Sequence, residues 1–103
     1  MSMAMFSLRE FDAEAGRIIL VNPSFDFDSY PPLGQRLVSI LSASIVDKQS
    51  DADLHSWLID FEGCQLFLRA EHYSETMWIE ALSPQQGHEE LQYLTKLFAI
   101  GIS

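Results

Sequence analysis

The stretch Trp57-Leu58-Ile59-Asp60-Phe61-Glu62-Gly63-Cys64-Gln65-Leu66-Phe67-Leu68-Arg69-Ala70 decides the fold. Trp57, Ile59 and Phe61 alternate with Leu58 and Asp60, the two-residue period of a strand whose side chains point to opposite faces. Cys64, Leu66, Leu68 and Ala70 alternate in the same way with Gln65, Phe67 and Arg69. Between the two runs, Glu62-Gly63 is a two-residue turn candidate, so the runs read as a hairpin. In so tight a hairpin the positions of each facing pair sum to 125. Ile59 then faces Leu66 and Trp57 faces Leu68 on one side of the sheet, while Leu58 faces Phe67 on the other.

Downstream, residues 72–75 (His-Tyr-Ser-Glu) make a second turn. Met77, Ile79 and Ala81 follow, alternating with Trp78, Glu80 and Leu82. The result is a three-stranded antiparallel meander, and an even-length second turn puts Trp78, Glu80 and Leu82 on the side of Phe67 and Arg69. Ser83-Pro84 ends the sheet. Glu89 and Glu90 sit at a helix start, where the dipole favours them, and Leu91, Leu94, Leu97 and Phe98 form its apolar stripe.

Upstream, residues 4–11 alternate as a half-buried strand, and Arg17-Ile18-Ile19-Leu20-Val21 is a β-branched run; a turn at residues 12–16 joins them into a hairpin. Residues 22–32 are stiffened by three prolines and carry Phe25, Phe27 and Tyr30. Pro31 or Pro32 suits the first turn of a helix whose stripe is Leu33, Leu37, Ile40, Leu41 and Ile45. Residues 47–53 read as a charged loop or frayed helix end. The order ββ-α-βββ-α predicts an α+β two-layer sandwich: an antiparallel sheet of about five strands with both helices on one face. One domain spans residues 1–103, since a chain this short has no room for a second core.

The second face of that sheet is the candidate functional surface. It carries Leu58, Phe67, Trp78 and Leu82 among Arg69, Glu80 and other polar residues, where a solvated face needs no such group of large apolar side chains. Three occupants suit it: the aromatic loop at residues 22–32, a second copy of the chain, or a protein partner. A ligand pocket between that loop (Phe25, Phe27, Tyr30) and the sheet is the alternative.

Charge narrows the partners. Six Lys and Arg face fifteen Asp and Glu, a formal net charge of −9. The basic residues are scattered, so neither nucleic acid nor an anionic membrane is an expected partner. Met1-Ser2-Met3-Ala4-Met5-Phe6 has no positive n-region, so no signal peptide is expected, and no apolar run spans a bilayer. The lone cysteine, Cys64, suits the cytoplasm.

Catalytic and metal patterns are weak. Asp26 and Asp28 resemble neither a phosphotransfer pair at a strand end nor a calcium loop, and read as turn caps. His72 lies near Glu71 and Glu75, but His55 and His88 fall in other elements and no ligand spacing links them. Cys64 falls on the predicted core face, where a small thiol packs. Gly-rich phosphate loops and nucleophile elbows are absent, and no cofactor is expected.

Along the whole chain, and most clearly from Phe61-Glu62-Gly63 through Leu66-Phe67-Leu68-Arg69-Ala70-Glu71-His72-Tyr73-Ser74-Glu75 to Trp78-Ile79-Glu80, the sequence resembles a family of small uncharacterised gammaproteobacterial proteins. That resemblance implies a bacterial cytosolic origin and carries over no functional residue. A likeness to anti-sigma-factor antagonist domains, through Ile18, Phe27-Asp28-Ser29-Tyr30-Pro31, Leu37-Val38 and Trp57-Leu58-Ile59-Asp60-Phe61, fails where their switch turn lies. This chain has Glu62-Gly63-Cys64-Gln65-Leu66 and a hairpin there. The sequence as a whole predicts a non-enzymatic interaction module, self-associating through the outer sheet face.

Overall fold

The structure, a computed structural model, describes residues 4–83 and 85–103. The opening Met1-Ser2-Met3 and the expected sheet stop at Pro84 lie outside the described residues. Strands β1 (Ser7–Asp12) and β2 (Arg17–Val21) come first, followed by helix α1 (Tyr30–Ile40). Four strands then run in succession, β3 (Ser44–Asp51), β4 (Leu54–Phe61), β5 (Cys64–Glu71) and β6 (Thr76–Ala81), before helix α2 (His88–Ile100). All pair antiparallel in one sheet of order β1-β2-β6-β5-β4-β3. No described helix is long and apolar enough to cross a membrane.

The meander forms in the expected register. Ile59 pairs with Leu66, Trp57 with Leu68 and Leu58 with Phe67. Glu62 and Gly63 both have positive φ, 54° and 81°, the conformation a two-residue hairpin turn of matching twist requires. Glycine bears this without strain at the second position, so Gly63 fixes the register that Glu62 alone does poorly.

The expected five-strand sheet is corrected to six, with the order ββ-α-ββββ-α. Residues 47–53, read from sequence as a loop or frayed helix end, belong mostly to β3 and its turn. Ile45, placed on the helix stripe, is a strand residue opposite Ile59. The helix stops at Ile40 because Ser42 turns left-handed at φ 56°. β3 hid from sequence reading because it is an edge strand: only Ile45 is half-buried, so no apolar alternation marks it. Its backbone is held by β4 and its polar side chains stand in water.

Both helices cover one face. Pro31 and Pro32 occupy the first turn of α1, where their missing N–H groups cost nothing. A side chain at Gly34 would meet the Trp57 ring at 2.9 Å, so glycine is what lets α1 lie on β4. Leu91, Leu94 and Phe98 of α2 are buried, and Tyr93 sits 6.1 Å, ring to ring, from Phe61. Against them the sheet presents Ile18, Leu20, Trp57, Ile59, Phe61, Leu66, Leu68, Ala70, Met77 and Ile79, all buried. Each fully buried Leu or Ile stabilises by about 1.5–3 kcal/mol relative to an exposed one, so this face holds the fold together.

The ends of the chain close on each other. Phe6 and Ile102 exchange backbone hydrogen bonds of 2.9 Å, fixing α2 beside β1.

Candidate functional site

The strand registers lay out the second face as rows that cross the sheet. One row runs Asp12, Arg17, Glu80, Phe67, Leu58, Asp47. The next runs Glu10, Ile19, Trp78, Arg69, Ser56, Gln49. Leu58, Phe67, Arg69, Trp78 and Glu80 therefore share this face, as the alternation requires, and each is half-buried. Leu82 stands one residue past the end of β6 and is exposed. Arg17, Ile19 and Val21 join them from β2. Sequence reading missed these three because the β2–β6 pairing spans about sixty residues and no turn dictates it.

The polar groups at the centre are organised around one carboxylate oxygen. Trp78 Nε1 donates to Glu80 Oε1 at 3.0 Å. Arg17 Nε and Arg69 Nε stand 3.8 Å and 3.7 Å from the same oxygen. Neither Nε has a hydrogen-bond acceptor, although both atoms are shielded from solvent. Arg69 also lays its guanidinium 4.5 Å over the Phe67 ring and donates to Ser56 Oγ at 3.3 Å. The centre thus mixes aromatic surface with an excess of positive charge, while Glu10, Asp12 and Asp47 stand on the outermost strands.

The 22–32 loop does not cover this face. Phe25 and Tyr30 are buried on the helix side, their rings 5.6 Å apart. Tyr30 stacks on His55 at 4.5 Å and meets Trp57 edge-on at 5.0 Å. Phe27, more than a third exposed, lies on the other side of His55 at 4.4 Å. The three aromatics of the candidate ligand loop therefore fill the space beneath the loop. Glu75 and Asn22 anchor the loop: Phe25 N donates to Glu75 Oε1 at 3.2 Å and Asn22 Nδ2 to Glu75 O at 3.0 Å. Asp26 and Ser29 cap each other through two 2.8 Å hydrogen bonds, and the Ser29 N–H holds the Asp26 carboxyl below its ordinary range.

His55 and His72, which no sequence spacing linked, both contact Phe27. His55 is nearly fully buried, and that desolvation lowers its pKa. Its Nδ1 lies 3.1 Å from Ser50 Oγ, the one hydroxyl–imidazole contact among the described residues. His72 Nε2 stands 3.7 Å from Asp53. Among the described residues no carboxylate holds His55 Nε2 as the third member of a catalytic set would, and the hollows described below lie at the opposite end of β4. Among the described residues no three His, Cys, Asp or Glu side chains converge as metal ligands.

Two hollows adjoin at the Phe61 end of β4: one of about 280 Å³ between α2 and the β4–β5 turn, and one of about 330 Å³ between the end of α1 and α2. They share Phe61, Glu62 and Tyr93. Cys64 is near this end, half-buried on the core side as expected, and burial together with Glu90 and Asp60 pushes its thiol up. A raised thiol pKa is the reverse of what a nucleophile needs.

A family model described as "Protein of unknown function (DUF3630)" matches residues 6–99. No curated protein and no solved structure matches the chain.

Proposed function

The chain belongs to the DUF3630 family, and we propose that it is a non-enzymatic interaction module that self-associates through the outer face of its sheet. The observation that carries this reading is the placement of everything else. Both helices and the aromatic loop lie on the opposite face, so among the described residues no second layer packs on Ile19, Leu58, Phe67 and Trp78, which are half-buried within the sheet's own surface. A half-buried apolar cluster with a charged surround and no second layer on it has the composition of an interface core and rim.

The sheet edges support the face over the edge as the contact. β1 is bulged between Leu8 and Glu10, and β3 between Ile45 and Asp47. β3 also carries Asp47, Lys48 and Asp51. Bulges and charges on both outer strands are the devices that prevent strand addition. A six-stranded face about 25 Å wide and 20 Å tall projects on the order of 500 Å². Two such faces together present on the order of 1,000 Å², about the least that a specific interface buries.

The alternative, a ligand pocket under the 22–32 loop, is less favoured because Phe25 and Tyr30 are buried there, and a basic protein partner is a further reading that the net charge of −9 supports. The lone cysteine and the resemblance to gammaproteobacterial proteins support a bacterial cytosolic setting. The direct test is sedimentation equilibrium of the parent chain and of Trp78→Glu. A dimeric parent and a monomeric variant with an unchanged circular-dichroism spectrum are expected. A parent of single-chain mass at every concentration, or a variant as dimeric as its parent, overturns the reading.

A further inference from the structure

We infer that the two copies meet across a two-fold axis running along the Trp78–Phe67 diagonal, with Arg69 of each copy paired to Glu80 of the other. This deepens the proposed self-association and rests on it. The midline of the six-stranded sheet falls between β6 and β5. Four side chains form a two-by-two block across that midline: Trp78 and Glu80 on β6, Arg69 and Phe67 on β5. Trp78 is directly opposite Arg69, and Glu80 directly opposite Phe67.

A face-to-face two-fold interface is isologous, so its axis lies in the plane of contact and each residue pair occurs twice. Four simple axes through the block centre exist. An axis along the strands lays Arg69 over the partner's Trp78 and Glu80 over the partner's Phe67. An axis across the strands lays Glu80 over the partner's Trp78 and Arg69 over the partner's Phe67. The Arg69–Glu80 diagonal lays each charge on its own copy, which is repulsive. Only the Trp78–Phe67 diagonal stacks ring on like ring and sets opposite charges against each other twice.

The chemistry of the block agrees. Trp78 Nε1, Arg17 Nε and Arg69 Nε all converge on Glu80 Oε1, and Oε2 takes part in none of these contacts. Arg69 Nε is shielded and lacks an acceptor within its own chain. Each copy therefore carries both members of an opposite-charge pair on this face, with Glu80 Oε2 outside the contacts made to Oε1. With strands about 4.8 Å apart and same-face residues about 7 Å apart along a strand, the diagonal lies about 35° from the strand direction. The two sheets then cross at about 70°, towards the orthogonal class of sheet packing. That crossing also swings the acidic outer strands of one copy away from those of the other.

The experiment is a charge swap read by sedimentation equilibrium and native mass spectrometry. Arg69→Glu alone sets two carboxylates against Glu80, and Glu80→Arg alone sets two guanidinium groups against Arg69. Each is expected to weaken self-association by about a hundredfold, as like-charge juxtaposition does. Mixed together, the two variants restore both opposite-charge pairs and are expected to form a one-to-one heterodimer. The double variant Arg69→Glu/Glu80→Arg keeps the pair within its own chain and is expected to remain a homodimer, which covers a single variant that does not fold. If the parent is dimeric but the mixture stays monomeric, or either single variant dimerises like the parent, the inference is overturned while the outer-face reading stands. If the parent itself is monomeric, the outer-face reading is overturned and this inference with it.

Discussion

The two faces of the sheet are built from the same strands, one residue out of phase, and they do different work. On the helix side, Leu66, Leu68, Met77 and Ile79 are fully buried among aliphatic and aromatic neighbours. On the other side, Phe67, Arg69, Trp78 and Glu80 shield one another only partly, and no second layer packs on them among the described residues. The difference is one of composition as much as burial. From β2 to β4 the inner face is apolar apart from His55, whereas the outer face sets aromatic rings beside guanidinium and carboxylate groups. A purely structural outer face has no need of Trp and Phe, and a core has no place for two arginines. Such a mixture suits the proposed contact surface.

The largest expected effect breaks that comparison at its sharpest point, two adjacent residues of β5. Leu68→Ala removes a fully buried side chain and is expected to cost about 2–5 kcal/mol of unfolding free energy. Phe67→Ala, next to it but on the outer face, is expected to cost below about 1.5 kcal/mol in solution dilute enough to dissociate the proposed dimer. Urea denaturation of both variants checks this. Equal losses would mean that the outer face is as structural as the inner one.

A smaller effect concerns the one imidazole on the inner face. His55 is packed between Tyr30 and Phe27, with Ser50 at Nδ1 and His72, Asp53 and Lys48 on the adjoining strands and turns. Burial lowers its folded pKa, so the unfolded chain binds the proton more readily. Its contribution is complete above the unfolded value of about 6.5 and is lost as pH falls through that value towards the lower folded one. Stability measured between pH 8 and pH 5 is expected to decline, and His55→Phe to flatten that part of the decline. An unchanged slope in the variant would assign the pH dependence elsewhere. The outer face has no histidine, so self-association is expected to be much less sensitive over the same range.

How much of this is legible in the chain follows from how local each determinant is. The meander was readable because Glu62-Gly63 fixes the register of β4 on β5, and strict alternation then sorts Phe67, Arg69, Trp78 and Glu80 to one side. β3 was not, because an exposed edge strand is specified by its neighbour's backbone rather than by its own side chains. The joining of Arg17 and Ile19 to the face was invisible for a different reason: β2 docks on β6 through a contact between distant parts of the chain. His55 and His72 are neighbours through the β4–β5 register itself, which pairs His55 with Ala70, whereas Phe27 reaches them by the loop's path over the inner face, where Tyr30 packs on Trp57. Alternation alone left open which face the aromatic loop covers, and the structure puts it on the helix side.

The claim that the outer face is the contact surface is tested most directly by side-chain NMR shifts followed from dilute to concentrated protein. Shifts that move with concentration are expected to gather at Ile19, Leu58, Phe67 and Trp78, with Tyr93, Ile100 and Val46 unmoved. Movement confined to the helices or to β3, with the outer-face resonances unchanged across a monomer–dimer transition, would contradict it.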